Sequence, residues 1–212
     1  MMTKPGPRRW IAPDMPLACP GMRIGLFGGS FNPAHAGHVH VSRLARARLA
    51  LDAVWWLVSP QNPLKSERGM ATLRERVASA RAASRGIGFI RVTAFEATIG
   101  TRFTNDTVGY LTRRFPGTHF VWIMGADNLA GFHAWDAWRD LAAALPLAVI
   151  DRPGAGLAAI ASPAARALVR YRVDEQAARC LATARPPAWS LLHGPLSDLS
   201  STAIRGDSAT RR

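Results

Sequence analysis

Cysteine and long apolar runs are both scarce in this sequence of 212 residues. The two cysteines, Cys19 and Cys180, lie far apart and show no metal-ligand spacing, so we expect neither a disulfide framework nor a zinc site. No apolar run approaches the roughly 18 residues that span a membrane. No apolar segment follows Arg8 and Arg9, as a secretory signal would require. These absences predict a cytoplasmic globular protein with no membrane partner.

Acidic residues and lysines are also few. The sequence has 14 Asp and Glu against 27 Lys and Arg, a net charge of +13, and its only lysines are Lys4 and Lys65. Such a surplus indicates anionic partners, of which nucleic acid is only one. The basic residues are spread over several segments rather than gathered in one stripe. We therefore do not predict nucleic-acid binding as the main function.

The chain divides into a proline-rich leader over residues 1–21, which we expect to be flexible or loosely docked, and a single domain over residues 22–212. From Arg23 onwards short apolar runs alternate with helical patterns. The runs predict strands over 23–28, 54–58, 88–93, 119–124, 147–150 and 189–193. The patterns predict helices over 39–51, 73–83, 105–115, 128–144 in two pieces, and 198–205, with one further helix within 154–185. This alternation predicts an α/β fold, a doubly wound and mostly parallel sheet of five to six strands with helices on both faces.

The segment GLFGGSFNPAHAGH (25–38) joins the first predicted strand to the first predicted helix. Glycines allow close backbone approach, and the N–H groups of a helix start favour an anion, so this junction predicts a phosphate site. The two histidines add donors that a simple glycine loop lacks. A two-histidine metal site is the alternative, although no third ligand is evident. The residues expected to contact phosphate are Gly28, Gly29, Ser30, Phe31, Asn32, His35, Gly37 and His38.

Further polar motifs follow other predicted strands. SPQNPLK begins at Ser59, GADN at Gly125 and DRPG at Asp151. In a doubly wound sheet, ligands bind outside the carboxyl ends of the strands, where the strand order switches. These motifs are therefore expected to surround one crevice.

Two motifs together resemble the nucleotidyltransferase superfamily. GGSFNPAHAGH resembles its HxGH motif, and LSSTAIR (199–205) resembles the ISSTxIR motif of its adenylyltransferases. The remaining motifs are similar to those of the nicotinate-nucleotide adenylyltransferase family. They are Pro60-Gln61-Asn62, Phe103-Thr104-Asn105-Asp106-Thr107, Gly125-Ala126-Asp127-Asn128-Leu129, Trp135 and Arg152-Pro153-Gly154.

The resemblance implies a Rossmann-like nucleotidyltransferase fold and transfer of AMP from ATP to nicotinate mononucleotide, giving nicotinate adenine dinucleotide and pyrophosphate for NAD biosynthesis. It implies direct in-line attack without a covalent enzyme intermediate, and Mg²⁺ held by the ATP phosphates rather than by a protein cage. Three residues are implied to be catalytic: His35, His38 and Arg205. Ser200, Ser201, Thr202 and Arg205 are implied to join the phosphate residues above in binding ATP. The mononucleotide site is implied to comprise Asn62, Lys65, Thr104, Asp127, Trp135 and Arg152.

Several alternatives remain open at this point. Asp136 stands where many relatives carry an aromatic residue, which leaves the choice between nicotinate and nicotinamide mononucleotide unsettled. Another adenylyl- or cytidylyltransferase, acting on an acceptor such as phosphopantetheine, would carry the same first motif. A nucleotide sensor, or an inactive nucleotide- or nucleic-acid-binding protein of the same fold, is a further alternative. The sequence is compatible with a monomer or a homodimer.

Overall fold

The computed structural model describes residues 15–60, 70–101 and 103–194, and these form one six-stranded parallel sheet. The strand order is β3-β2-β1-β4-β5-β6, which confirms the predicted doubly wound arrangement. The strands are β1 (Arg23–Gly29), β2 (Ala53–Val58), β3 (Ile90–Thr93), β4 (His119–Gly125), β5 (Leu147–Ile150) and β6 (Trp189–Leu192).

Helices cover both faces of this sheet. They are α1 (Ala36–Leu49), α2 (Leu73–Ala83), α3 (Phe95–Ile99), α4 (Thr104–Arg114), α5 (Ala126–Ala130), α6 (Trp138–Ala144), α7 (Gly156–Ile160) and α8 (Pro163–Ala167). On one face, α1 and α2 pack with a 3₁₀ segment, Glu175–Thr183, over one core cluster. On the other face, α4, α5 and α6 pack over the second cluster.

The strand sequences explain why the sheet is buried on both faces. Every residue of β2 is buried, as a central parallel strand requires, and its two tryptophans point to opposite faces. Trp55 belongs to the cluster under α4 and Trp56 to the cluster under α1. Burial of apolar area, at about 25 cal/mol per Å², is the main stabilising contribution of these clusters.

Several element bounds shift by one to three residues, and the structure differs most from the predicted elements in three places. Helix α1 begins at Ala36 rather than Val39, because two histidine side chains cap it. Helix α3 was not predicted, since five residues are too few to show a helical period. Within residues 154–185 the single predicted helix is wrong: α7, α8 and two 3₁₀ segments replace it, because this alanine-rich stretch has no sustained apolar stripe.

The described part of the predicted leader is docked against the domain. Met15 and Ala18 of the leader pack against the core cluster under α4. The Gly21 N–H donates to the Gly117 carbonyl at 2.8 Å. The two cysteines are both exposed and are not joined to each other. No helix within the described residues is long and apolar enough to cross a membrane.

Candidate active site

The site is built at the point where the strand order switches. β1 and β4 are neighbours in the sheet, yet the helix after β1 packs on one face and the helix after β4 on the other. A crevice therefore opens at their carboxyl ends. The segment from Gly28 to His38, which we call the phosphate loop, leaves β1 at this crevice.

Two histidines of the phosphate loop cap α1 reciprocally. The Gly37 N–H donates to Nδ1 of His35 at 3.1 Å, and the His35 N–H donates to Nδ1 of His38 at 3.2 Å. The two rings lie 3.9 Å apart between centroids. Helix N–H groups that lack an intrahelical partner are normally capped by Ser, Thr, Asp or Asn. Here imidazoles do so, which holds the two rings side by side.

This capping fixes the proton on each ring. A nitrogen that accepts an N–H hydrogen bond carries no proton, so each neutral ring keeps its proton on Nε2 and offers that N–H as a donor. Burial lowers the pKa of His35, and the positive charge of Arg152 lowers it further. His35 is therefore a neutral donor near pH 7.

Aromatic packing supports the phosphate loop from the α1 side. Phe31 has a backbone φ of 48°, a region that non-glycine residues rarely adopt, and its ring is fully buried. The ring stacks on Trp56 at 5.0 Å and lies 4.8 Å from the His38 ring. Trp56 in turn donates from Nε1 to the Ser42 hydroxyl at 2.8 Å, and that hydroxyl donates to the His38 carbonyl at 2.8 Å. Ring burial offsets the backbone strain and fixes the position of His38.

Arg76 of α2 joins the phosphate loop to the loop after β2. Its buried guanidinium, 2% exposed, donates to the carbonyl of Ser30 at 2.9 Å. It also donates to the carbonyls of Ser59, Pro60 and Ala71 at 2.7, 2.9 and 3.0 Å. Burial lowers the pKa of this guanidinium, yet arginine stays charged in proteins. Sequence reasoning missed Arg76, because an arginine in an amphipathic helix ordinarily faces solvent.

The residues after β4 and β5 converge on the opposite side of the crevice. Arg152 Nη1 lies 3.6 Å from Asp127 Oδ2, and its charge acts on His35. A Cβ built on Gly125 would come 2.9 Å from Arg152 Nε and collide with Asp127 Oδ1, so the absence of a side chain at Gly125 gives this pair its present position. Asp127 is the second residue of α5 and not its N-cap, which is Gly125. The structure thus brings Asp127, Arg152 and His35 together.

Trp135 lies between α5 and α6 and belongs to a group that we call the aromatic cluster: Trp122, Phe132 and Trp135. Trp135 is half-buried and packs against the core, whereas Trp122 and Phe132 are buried. Both contact Trp135 edge-to-face, at centroid distances of 6.3 and 5.3 Å. Trp135 is thus held in one plane while part of its surface remains accessible.

Thr104 is the first residue of α4, so its backbone N–H is one of those that have no partner within the helix. The first turn of α4 is joined to α3 by Thr107, whose buried hydroxyl donates to Glu96 Oε1 at 2.7 Å. Burial raises the pKa of Glu96, and the hydrogen bond from Thr107 opposes that rise. Glu96 was not predicted from the sequence.

The last described residues, His193 and Gly194, lie beside α1. Glu175 accepts the His193 N–H at 2.8 Å and contacts His193 Nδ1 at 2.6 Å. Glu175 is also paired with Arg48 of α1. Gly194 then packs closely against Leu44, where an added Cβ would come 2.7 Å from Cδ2. The predicted site residues Asn62, Lys65, Ser200, Ser201, Thr202 and Arg205 lie outside the described residues.

Known proteins are similar to this chain in sequence and in fold. The family described as cytidylyltransferase-like matches residues 26–207. A protein of Methylorubrum extorquens named "Probable nicotinate-nucleotide adenylyltransferase" is 57% identical over 87% of this chain and 99% of its own length. A protein of the same name from Mesorhizobium japonicum is 52% identical over 90% of this chain and 97% of its own.

A solved structure extends the similarity to the fold. The Plasmodium falciparum nicotinic acid mononucleotide adenylyltransferase complexed with NaAD is 17% identical and superposes with a TM-score of 0.64, covering 87% of this chain and 83% of that one. Identity at this level supports the fold alone, whereas the bacterial relatives match in sequence along nearly their whole length. The chain belongs to the nicotinate-nucleotide adenylyltransferase family.

Proposed function

We propose that this protein transfers the AMP group of ATP to nicotinate mononucleotide, giving nicotinate adenine dinucleotide and pyrophosphate. One observation carries the proposal most directly: the histidine donors His35 and His38 of the phosphate loop lie at the same crevice as Arg152 and Asp127. Donors that favour phosphate oxygens thus lie beside a cation and a carboxylate that suit a second nucleotide. The relatives named above support the same reaction.

The obstacle in this reaction is the mutual repulsion of two anionic nucleotides. An oxygen of the mononucleotide phosphate attacks the α-phosphorus of ATP, a new P–O bond forms, and the bond to the bridging oxygen breaks to release pyrophosphate. The attacking phosphate is already ionised, so no general base is needed. Holding the reactants in line can contribute about 7–11 kcal/mol, and each donor aimed at developing charge about 3–4 kcal/mol.

His35 and His38 are the donors that we assign to the α- and β-phosphates. Because their Nδ1 atoms accept backbone N–H groups, Nε2–H is the donor of each neutral ring. They therefore act as hydrogen-bond donors and not as proton shuttles. From the sequence motif we assign Ser200, Ser201 and Thr202 to the triphosphate and Arg205 to its outer charge.

The mononucleotide site is assigned to the opposite side of the crevice. Trp135 stacks on the pyridine ring, for which its half-exposed, plane-fixed indole is suited. The backbone N–H of Thr104 at the start of α4 donates to the nicotinate carboxylate. Asp127 and Arg152 hold sugar and phosphate groups, and Asn62 and Lys65 complete the site.

Mg²⁺ is proposed to arrive with ATP. Among the described residues, the two carboxylates that follow β4 and β5 both have partners: Asp127 lies 3.6 Å from Arg152, and Asp151 accepts the Arg152 N–H at 2.8 Å. This pairing suits a cation that is held by phosphate oxygens and water, as Mg²⁺ commonly is. When bound, Mg²⁺ neutralises part of the charge on the phosphates.

A panel of acceptors tests the proposal. Purified protein is given Mg²⁺-ATP with nicotinate mononucleotide, nicotinamide mononucleotide or phosphopantetheine, while pyrophosphate release is followed and the product is identified by mass. We expect turnover with nicotinate mononucleotide to exceed that with either other acceptor. A higher kcat/KM for phosphopantetheine would overturn the acceptor assignment, and absence of pyrophosphate with every acceptor would overturn the reaction. CTP in place of ATP serves as the control for the transferred nucleotide.

A further inference from the structure

The ring of Trp122 lies directly beneath the phosphate loop. Trp122 is on β4, paired in register with Leu26 of β1, so its ring extends across the end of β1. A Cβ built on Gly28 would come 2.6 Å from Cη2 and 2.9 Å from Cζ2 of this ring. Gly28 therefore leaves room for the protein's own indole, whatever it also does for a ligand.

The same indole contacts Trp135. The two rings are edge-to-face, with 6.3 Å between centroids and 86° between planes. Phe132 makes a second edge-to-face contact with Trp135, at 5.3 Å and 69°. Two buried rings thus determine the plane of Trp135, and one of them, Trp122, also contacts Gly28 of the phosphate loop.

No hydrogen bond holds the Trp122 indole among the residues that the structure describes. Its Nε1 is buried without a hydrogen-bond partner there, whereas Nε1 of Trp56 donates to Ser42. The orientation of Trp122 is consequently set by shape, namely by the space at Gly28 on one side and by Trp135 on the other.

We propose that Trp122 is a positioning residue for the acceptor. Its ring packs against Gly28 and sets the plane of Trp135. The plane of Trp135 in turn aligns the pyridine ring relative to the bound triphosphate. The inference rests on the proposed function, in which Trp135 stacks on the pyridine ring. It adds a physical connection between the two nucleotide sites that passes through a residue contacting neither substrate.

The test is a double-mutant cycle of Trp122→Phe with Trp135→Ala, with Trp55→Phe as the matched control. Trp55 belongs to the same core cluster, is fully buried and also has a buried Nε1 without a described partner. Its ring contacts are with Phe115 and Phe120 rather than with Trp135. Both phenylalanine variants should lower the thermal midpoint to a similar degree, so a merely structural role would affect them equally.

We expect Trp122→Phe to raise KM for nicotinate mononucleotide about fivefold, as loss of one edge-to-face contact would, and Trp55→Phe to change it by less than about twofold. KM for ATP should stay within about twofold in both. In the Trp135→Ala background, Trp122→Phe should have no further effect on KM, because its action passes through Trp135.

The outcomes separate the two proposals. If Trp135→Ala leaves KM for the mononucleotide unchanged, the stacking assignment fails and this inference fails with it. If Trp135→Ala raises KM while Trp122→Phe behaves like Trp55→Phe, only the positioning role is overturned. An equal effect of Trp122→Phe in both backgrounds would also overturn it.

Discussion

The two sides of the crevice are held in place by different kinds of interaction. Besides the ring packing of Phe31, the phosphate loop is fixed by directional hydrogen bonds, namely the histidine cap of α1 and the Arg76 guanidinium, which joins the Ser30 carbonyl to the carbonyls of neighbouring segments. The aromatic cluster is fixed by ring edges meeting ring faces. A phosphate group needs donors at defined angles, whereas a flat heterocycle needs a defined plane. The comparison indicates that the phosphate side fixes the direction of its donors, whereas the aromatic side fixes the plane of a ring.

The largest effect should come from removing a donor on the phosphate side. We expect His38→Ala to lower kcat by about 10²–10³, because a donor at the developing charge is lost. KM for nicotinate mononucleotide should change little, since the aromatic cluster is untouched. Steady-state kinetics with both substrates varied measures this, with the exposed His133→Ala as control. Wild-type turnover in His38→Ala would remove His38 from the mechanism.

The second prediction concerns the support beneath the phosphate loop. Arg76→Met leaves four carbonyls without their donor and should lower the free energy of unfolding by about 2–3 kcal/mol, as unmade buried hydrogen bonds do. Arg76→Lys should retain part of this stability, because an ammonium cannot reach all four carbonyls. Urea unfolding provides the measurement, and Arg74→Met, exposed on the same helix, is the control. Equal losses in Arg76→Met and Arg74→Met would show that the contacts are energetically unimportant.

On the aromatic side the effect should be smaller and should appear in KM. Trp135→Ala is expected to raise KM for nicotinate mononucleotide about tenfold, near the lower end of the range for stacking a base on a ring. KM for ATP and kcat should change much less. Should ATP affinity fall instead, the division of the crevice between the two nucleotides would be reversed.

The smallest effect is a pH dependence that belongs to the histidine cap. The pKa of His35 is lowered by burial and then by Arg152, so the unfolded chain takes up a proton at a higher pH than the folded chain. Its stabilising contribution is full above the unfolded pKa of about 6.5 and is lost as pH falls through the folded value. His35→Asn keeps an acceptor at the N-cap that does not titrate.

Urea unfolding of both proteins at pH 7.5 and at pH 5.5 isolates this contribution. Wild-type protein should lose more of its unfolding free energy on acidification than His35→Asn does. All other ionisable side chains are common to both proteins, so their contributions cancel in the difference. Identical pH slopes would show that His35 is not the group responsible.

Much of the fold could be predicted from the sequence, because hydrophobic periodicity indicates the helices and strands, and polar motifs mark the ends of the strands. The bounds of β5 and α2 agree with the prediction, and the motifs after β1, β4 and β5 meet at one crevice as expected. The supporting residues could not be predicted. Arg76 has the same local pattern as a solvated arginine, and Trp122 is one apolar residue within a uniformly apolar run. Their roles arise only when distant segments pack, which a local pattern does not encode.

The paired glycines of the phosphate loop, Gly28 and Gly29, leave space for aromatic rings on opposite faces of the sheet. Successive residues of a strand face opposite ways, so a methyl group at Gly28 would press on the Trp122 indole and one at Gly29 would approach the Phe31 ring at 3.3 Å. Alanine at the first position would thus disturb acceptor alignment, and alanine at the second would disturb the donors. A glycine pair that is usually explained by ligand binding is here also required by the packing of the protein's own rings. Because Gly28 and Gly29 contact different rings, each can be substituted separately.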